Sequence, residues 1–370
     1  MRHEAILVDL VGFSHLSYDE AKDEAQASPS TLTADLLAFL AERKKFFPVG
    51  HCGDIGLGGY LLQGGIGLHS RGYGYGCEYI TGLDVVTAGG EIKHCAEMEN
   101  ADLYWAARGS GPEFPAIVTR FYLKTRPLLP VCKRSRYVWP AIVYEEVFAW
   151  LEALLTFLDE DVEATVFGLV LPEINQPGLV LHATVFADSD EHAREKLAPI
   201  INTRPSGAFI AEDFVTTNFL ENYDLGKDLM PRGARYFTDS VFLKPGTDIV
   251  ATCKEMFTEL KHPRGLAYWQ PMKTAANRSL PDMAMSIHSN HYVSLLAIYE
   301  DPEEDQQQTS WIMDYMRNLE PSVQGTFVGD AHPLERPSSY WSEGAKERVL
   351  TVGREWDPSG RIRGIVLGDV

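Results

Sequence analysis

An α+β fold in two domains is what this sequence predicts, on three observations. Short apolar, β-branched runs mix with amphipathic stretches, but without the regular strand–helix–strand period of a doubly wound sheet. Pro127, Pro130 and Pro140 cluster between two such sets and mark a boundary. A length of 370 residues is enough for two cores.

The elements read as follows. "AILVDL" is expected to be a strand. "SPSTLTADLLAFLAERKKFFP" is expected to be a helix, with Ser30 or Thr33 as its cap and Lys44 and Lys45 near its C-terminal end. "EYITGLDVVTAGGEIKHC" predicts two strands joined at Gly89 and Gly90. "NADLYWAARG" predicts a short helix capped by Asn100 or Asp102 and stopped by Gly109. "AIVTRFYLKTRP" is a strand ended by Pro127. Beyond the boundary, "YEEVFAWLEALLTFLDE", "DSDEHAREKLAPII", "GTDIVATCKEMFTELKH" and "PEEDQQQTSWIMDYMRNLEP" have helical periodicity. "ATVFGLVLPE", "GLVLHATVFA", "ARYFTDSVFLKP" and "MAMSIHSNHYVSLLAIYED" alternate as antiparallel strands, the last expected to be long and bent near His288–His291.

Composition narrows the partners. The formal net charge of −19 repels phosphate backbones and anionic membranes, so neither nucleic acid nor a membrane is an expected partner. Cys52, Cys77, Cys95, Cys132 and Cys253 form no CxxC pair and no zinc spacing, so neither a disulfide framework nor a metal site is expected. The apolar run near the start is broken by Asp9 and has no signal-peptide cleavage site, and no stretch has the apolar length of a membrane span. A cytoplasmic location is the expectation.

The densest glycine segment is "VGHCGDIGLGGYLLQGGIG", Val49 to Gly67. Such density means that backbone passes close to something. Three nucleotide devices fail here. Gly56 and Gly58 start a G-x-G-x-x-G fingerprint, but Leu61 stands where the third glycine belongs. No GK[ST] ends a phosphate loop, and the kinase partners of a glycine loop are missing. His288 and His291 are three apart on an expected strand and so face opposite ways, which argues against a shared metal.

The segments "VGHCGDIGLGGYLLQGGIGLHSRGYGYGCEYITGLDVVTAGGEI" and "ADLYWAARGSGPEFPAIVTRFYLK" resemble the later part of the flavin domain of berberine-bridge-enzyme-like oxidases, in the vanillyl-alcohol-oxidase superfamily. The tail "SYWSEGAKERVLTVGREWDPSGRIRG" is similar to that family's C-terminal helix and its closing "DPxGRF". The resemblance implies a PCMH-type FAD-binding domain over 1–126 and 335–370, and an antiparallel-sheet substrate domain with helices on one face over 127–334. It implies FAD as cofactor, attached through Cys52 where many members bond flavin C6 to sulfur. Cofactor contacts are implied at Gly50, Cys52, Ile55, Gly56, Gly58, Gly59, Gly64, Gly65, Glu78 and Val85. "GPEFPAIV" departs from the family's "GPGFFG" pattern at Glu113, Pro115 and Ala116. The family's "RSGGHS"-type pyrophosphate loop does not occur, and "AILVDL" matches the strand that follows it.

The function implied is oxidation of a small organic substrate of secondary-metabolite type, with hydride passing to flavin and electrons to oxygen. The alternatives are a flavin-free binding protein and a redox-neutral isomerase or cyclase on the same scaffold. Strand alternation puts Tyr236, Thr238 and Ser240 on one face, and His288 shares parity with Asn290 and Tyr292. Tyr236 and His288 are the candidates for base and orienter.

Overall fold

The computed structural model describes residues 6–227, 230–333, 335–362 and 364. Two antiparallel sheets organise it. The first has five strands in the order Leu16–Asp19, Glu24–Ala27, Ala116–Lys124, Ile80–Thr87, Ile92–Ala96. The Gly89–Gly90 turn closes the last hairpin, with Gly90 at φ +84°. Leu36, Leu40, Phe47, Val49, Leu83 and Phe121 are buried in its core.

The second sheet has eight strands. Their order is Ile210–Thr216, Val131–Pro140, Gln176–Ala187, Val162–Leu171, Leu266–Pro271, His291–Tyr299, Arg235–Leu243, Val323–Gly325. The helix Tyr144–Leu154 packs on this sheet through Phe148, whose ring stacks on Trp269 at 4.8 Å. The C-terminal helix Glu343–Trp356 returns to the first unit: Trp356 Nε1 donates to Asp102 Oδ2 at 2.5 Å, and the Arg348 guanidinium lies over Trp105. The turn after it is closed by Asp357, which accepts the N–H groups of Arg361 and Ile362. Residues 1–5, 363 and 365–370, parts of the first expected domain, lie outside the described residues.

The two units are tied by a buried cation. Arg71, 1% exposed, donates to the carbonyls of Leu158 (2.6 Å), Val162 (3.1 Å) and Asp159. Among the described residues, no helix is long and apolar enough to cross a membrane.

Four local expectations are corrected. Residues 6–10 of "AILVDL" form no strand: Ile6 and Leu7 are about nine-tenths exposed, and the sheet edge is instead Leu16–Asp19. The strand expected across 283–299 starts only at His291, because the N–H groups of Ala284 and Met285 bond to the carbonyls of Trp105 and Arg108 in the first unit. Asn100 makes no side-chain cap; its amide donates to the His94 carbonyl. Neither Ser30 nor Thr33 caps the first helix, Thr33–Ala41.

Candidate active site

The uncapped helix positions Cys52. With no side chain to satisfy its first N–H groups, the helix takes carbonyls from the glycine segment: Thr33 N–H donates to Ile55 O and Ala34 N–H to Gly53 O, both at 3.0 Å. The Thr33 hydroxyl donates to Cys52 O at 2.6 Å. Three bonds thus clamp the Cys52–Ile55 loop.

The glycines around it turn out to face mainly the chain itself. A Cβ added at Gly65 or Gly76 would sit within 2.8 Å of the Tyr60 ring, and one at Gly50 would meet Ile55 at 2.6 Å and Tyr60 at 3.4 Å. One at Gly58 would meet Pro29 at 2.9 Å, and Gly56 is also near Pro29, at its carbonyl. Gly64, at φ +116°, lies against Met285. The buried Tyr60 hydroxyl lies 3.1 Å from the carbonyls of Pro48 and Gly65. Close wrapping of one tyrosine therefore accounts for much of the segment. Gly59 differs, because a Cβ there meets nothing within 4 Å.

Cys52 and its neighbour His51 open on a cavity of about 150 Å³ between the two units. Its far wall is built by strand alternation: Glu163, Thr165 and Phe167 from one strand, His182, Thr184 and Phe186 from the next. His51 Nε2 lies 2.7 Å from Glu163 Oε1, a half-exposed imidazole against a buried carboxylate. Burial, with the fields of Asp54 and Asp330, pushes the Cys52 thiol up, so it is protonated at neutral pH. His69, on the same wall, is pushed down to about 3 by burial first and then by Arg126, and His182 to about 3 by burial, Arg134 and Arg136. Both imidazoles are neutral.

A second pair stands within the field of Cys52 and His51. The buried Tyr292 hydroxyl donates to Asp330 Oδ2 at 2.5 Å. Burial raises the Asp330 carboxyl, partly offset by that bond and by His51. Tyr268, whose ring is 6.1 Å from His51, donates to Gln270 Oε1 at 2.9 Å.

The two residues expected to act together are apart. Tyr236 lies 40% exposed, its hydroxyl donating to Pro231 O at 2.5 Å. Burial first, with the fields of Cys52 and Asp54 and against that of Arg264, raises its hydroxyl pKa, and it is not among the residues lining the cavity. His288 stands by Tyr75, ring centroids 6.4 Å apart, in the field of Arg278 and Glu78. A hydrogen-bonded histidine–carboxylate pair stands at His51–Glu163. Glu78 caps the short turn Gly76–Tyr79 by accepting from Tyr75 N–H at 2.8 Å and forms a two-point ion pair with Arg278. Val85 is buried in its strand, paired with Lys93 and Val118. Ala116 likewise pairs with Thr87 inside the sheet.

The signal for Glu163 and His182 was in the sequence. Polar residues at every second position of "VEATVFGLVL" and "LVLHATVFA" oppose fully buried Ala164, Val166, Leu181 and Ala183. A polar side chain on such a strand marks a second, lined face.

Two sheets, one carrying a clamped glycine–cysteine segment and the other a mixed polar and aromatic wall, face one cavity. A moss berberine-bridge-enzyme-like protein of Physcomitrella patens shares the fold at TM-score 0.82 and 18% identity, covering 97% of this chain and 81% of its own. A glucooligosaccharide oxidase of Acremonium strictum does so at TM-score 0.79 and 18% identity, over 96% and 79%. A model described as an FAD binding domain matches residues 2–96. FAD-linked oxidoreductase nodO of Hypoxylon pulicicidum is 76% identical over 369 residues, covering 100% of this chain and 82% of nodO. FAD-linked oxidoreductase janO of Penicillium janthinellum is 52% identical over 373 residues, covering 100% and 83%. The chain belongs to the FAD-linked oxidoreductases, with the fold of the berberine-bridge-enzyme-like proteins, and FAD is its cofactor.

The residues present fit the reactive end of that cofactor. A thiol, that of Cys52, stands at the wall of the cavity, and the buried Glu163 Oε2 of the facing strand has no hydrogen-bond partner among the described residues.

Proposed function

We propose that this protein oxidises a small organic molecule at the cavity between its two units, with oxygen as final acceptor. FAD, when bound, would supply the two-electron acceptor, and Cys52 stands at the cavity wall where it could be held. Cys52 is the residue that would tie the cofactor to the chain; a solved structure of the glucooligosaccharide oxidase is titled for a 6-S-cysteinyl flavin.

One observation carries the reading: the paired His51–Glu163 stands beside Cys52 on a cavity wall. The His51 imidazole takes a proton from a substrate oxygen or nitrogen, and the buried Glu163 carboxylate orients the ring and stabilises the imidazolium that forms. The Tyr292–Asp330 pair supplies a fixed hydroxyl and a buried negative field near the same point. Phe167 and Phe186 exclude water from the reacting groups.

The test of oxygen as acceptor needs no substrate. Photoreduced protein mixed with aerated buffer should reoxidise faster than free reduced flavin and yield one hydrogen peroxide per flavin. Reoxidation no faster than free flavin would overturn the oxidase reading and leave a dehydrogenase.

A further inference from the structure

The strand Val131–Pro140 carries two arginines, Arg134 and Arg136, whose guanidinium groups make no hydrogen bond among the described residues. They are two apart, so they share one face of the sheet, while Ser135, Tyr137 and Trp139 of the other face are buried. Register sets them in line with the cavity wall. Arg134 lies opposite Thr184, which lies opposite Glu163; Arg136 lies opposite His182, which lies opposite Thr165. The wall of polar side chains therefore continues one strand beyond the cavity and ends in two cations.

Among the described residues, Glu212 is the one carboxylate in ion-pairing range of either arginine, 4.0 Å from Arg134 and 3.9 Å from Arg136, too far for a hydrogen bond. Two cations thus share one anion in a chain of net charge −19. The Arg134 side chain is only 11% exposed, and its Nε and Nη1 are enclosed without partners. Its Nη2 and the guanidinium of the half-buried Arg136 keep accessible surface, so these are the groups that a ligand can touch. A guanidinium drawn from water without hydrogen bonds is costly, and an anion that accepts from it offsets that cost. Two adjacent planar forks suit a carboxylate, which accepts two N–H groups at once. The fields of both arginines reach His182 and, after burial, help to keep its imidazole neutral, so the strand between adds no competing charge. The arginines stand two strands from Glu163, roughly 10 Å. That puts them beyond Thr184 and His182, outside the space beside Cys52.

We propose that Arg134 and Arg136 are specificity residues that hold a carboxylate of the substrate, roughly 10 Å from the His51–Glu163 pair. Arg136 and Arg134 Nη2 donate to the carboxylate oxygens, and Glu212 keeps the two guanidinium groups side by side. The inference rests on the oxidase reading for what happens at the other end of the molecule. It names the substrate class: an organic acid whose carboxylate and oxidised centre are separated by about two strand spacings.

Isothermal titration of the flavin-loaded protein at neutral pH, with benzoate and benzamide as probes of one shape and different charge, tests this directly. One benzoate should bind per chain, about tenfold or more tighter than benzamide. Arg136→Gln should weaken benzoate about tenfold and change benzamide less than about twofold. Arg136 is partly exposed and makes no hydrogen bond, so this variant is expected to fold. Arg317→Gln makes the same charge change on the exposed face of the helix Asp305–Leu319 and should leave benzoate within about twofold. Absence of benzoate binding, equal binding of the two probes, or an equal loss in Arg317→Gln and Arg136→Gln overturns the carboxylate site. Benzoate bound with the expected dependence, by a protein whose reduced flavin reoxidises no faster than free flavin, would sink the oxidase reading and leave the site standing.

Discussion

His51 Nε2 and Glu163 Oε1 stand 2.7 Å apart although 112 residues separate them in sequence. One comes from the glycine segment of the first unit, the other from a central strand of the second. The pair exists only when the two units are docked, so the proposed base and its partner come together at the interface.

His51→Gln should keep a hydrogen bond to Glu163 but remove the base. The rate of flavin reduction by substrate is expected to fall roughly 100-fold or more, with substrate affinity far less affected. Rapid-mixing absorbance measures both. A change confined to affinity would move His51 from the chemistry to binding.

Docking itself depends on Arg71. Its guanidinium serves three carbonyls in the other unit. Arg71→Met should lower stability by about 3 kcal/mol, because buried carbonyls lose charged donors. Thermal unfolding followed by circular dichroism would show a drop of several degrees; an unchanged melt would mean that water substitutes for the side chain.

Two glycines a short distance apart should respond oppositely to alanine. At Gly67 the new methyl would overlap the Val49 carbonyl and reach within 2.7 Å of Gly50 Cα, so Gly67→Ala should cost about 2 kcal/mol or more. At Gly59, inside the short helix Leu57–Leu62, a Cβ meets nothing, so Gly59→Ala should hold or raise stability by up to about 1 kcal/mol. Denaturant titration separates them.

Acid should unfold the protein partly through His69. Its folded pKa of about 3 lies below its ordinary value of 6.5. Between those limits the unfolded chain binds more protons than the folded one, so stability falls as pH drops from 6.5 toward 3. His69→Asn, which tolerates the left-handed backbone, should flatten the fall of melting temperature over that window. An unchanged slope would assign the acid sensitivity to His182 or His291, both also depressed by burial.

Local chemistry was legible in the sequence where neighbours in the chain settle it. The Ile80–Thr87 and Ile92–Ala96 hairpin follows from alternation and a Gly-Gly turn. Cys52, which the resemblance singled out, does line the cavity between the two sheets. Long-range partners were not legible. Glu78 looked free to meet a cofactor, yet its carboxylate is engaged by Arg278, 200 residues away. His288 carries the right side chain for a base, but the buried stretch before it is pinned to Trp105 and Arg108, which sets it beside Tyr75. His51 was passed over because nothing near it in sequence is acidic except Asp54; its partner comes from another unit.

The measurement that tests the central claim most directly is the flavin content per chain before and after acid denaturation. The claim is that FAD meets this protein at Cys52. About one flavin should absorb per chain and remain with the polypeptide in acid, and Cys52→Ser should release it. A featureless visible spectrum, or complete release of flavin from the unaltered chain, would contradict that claim.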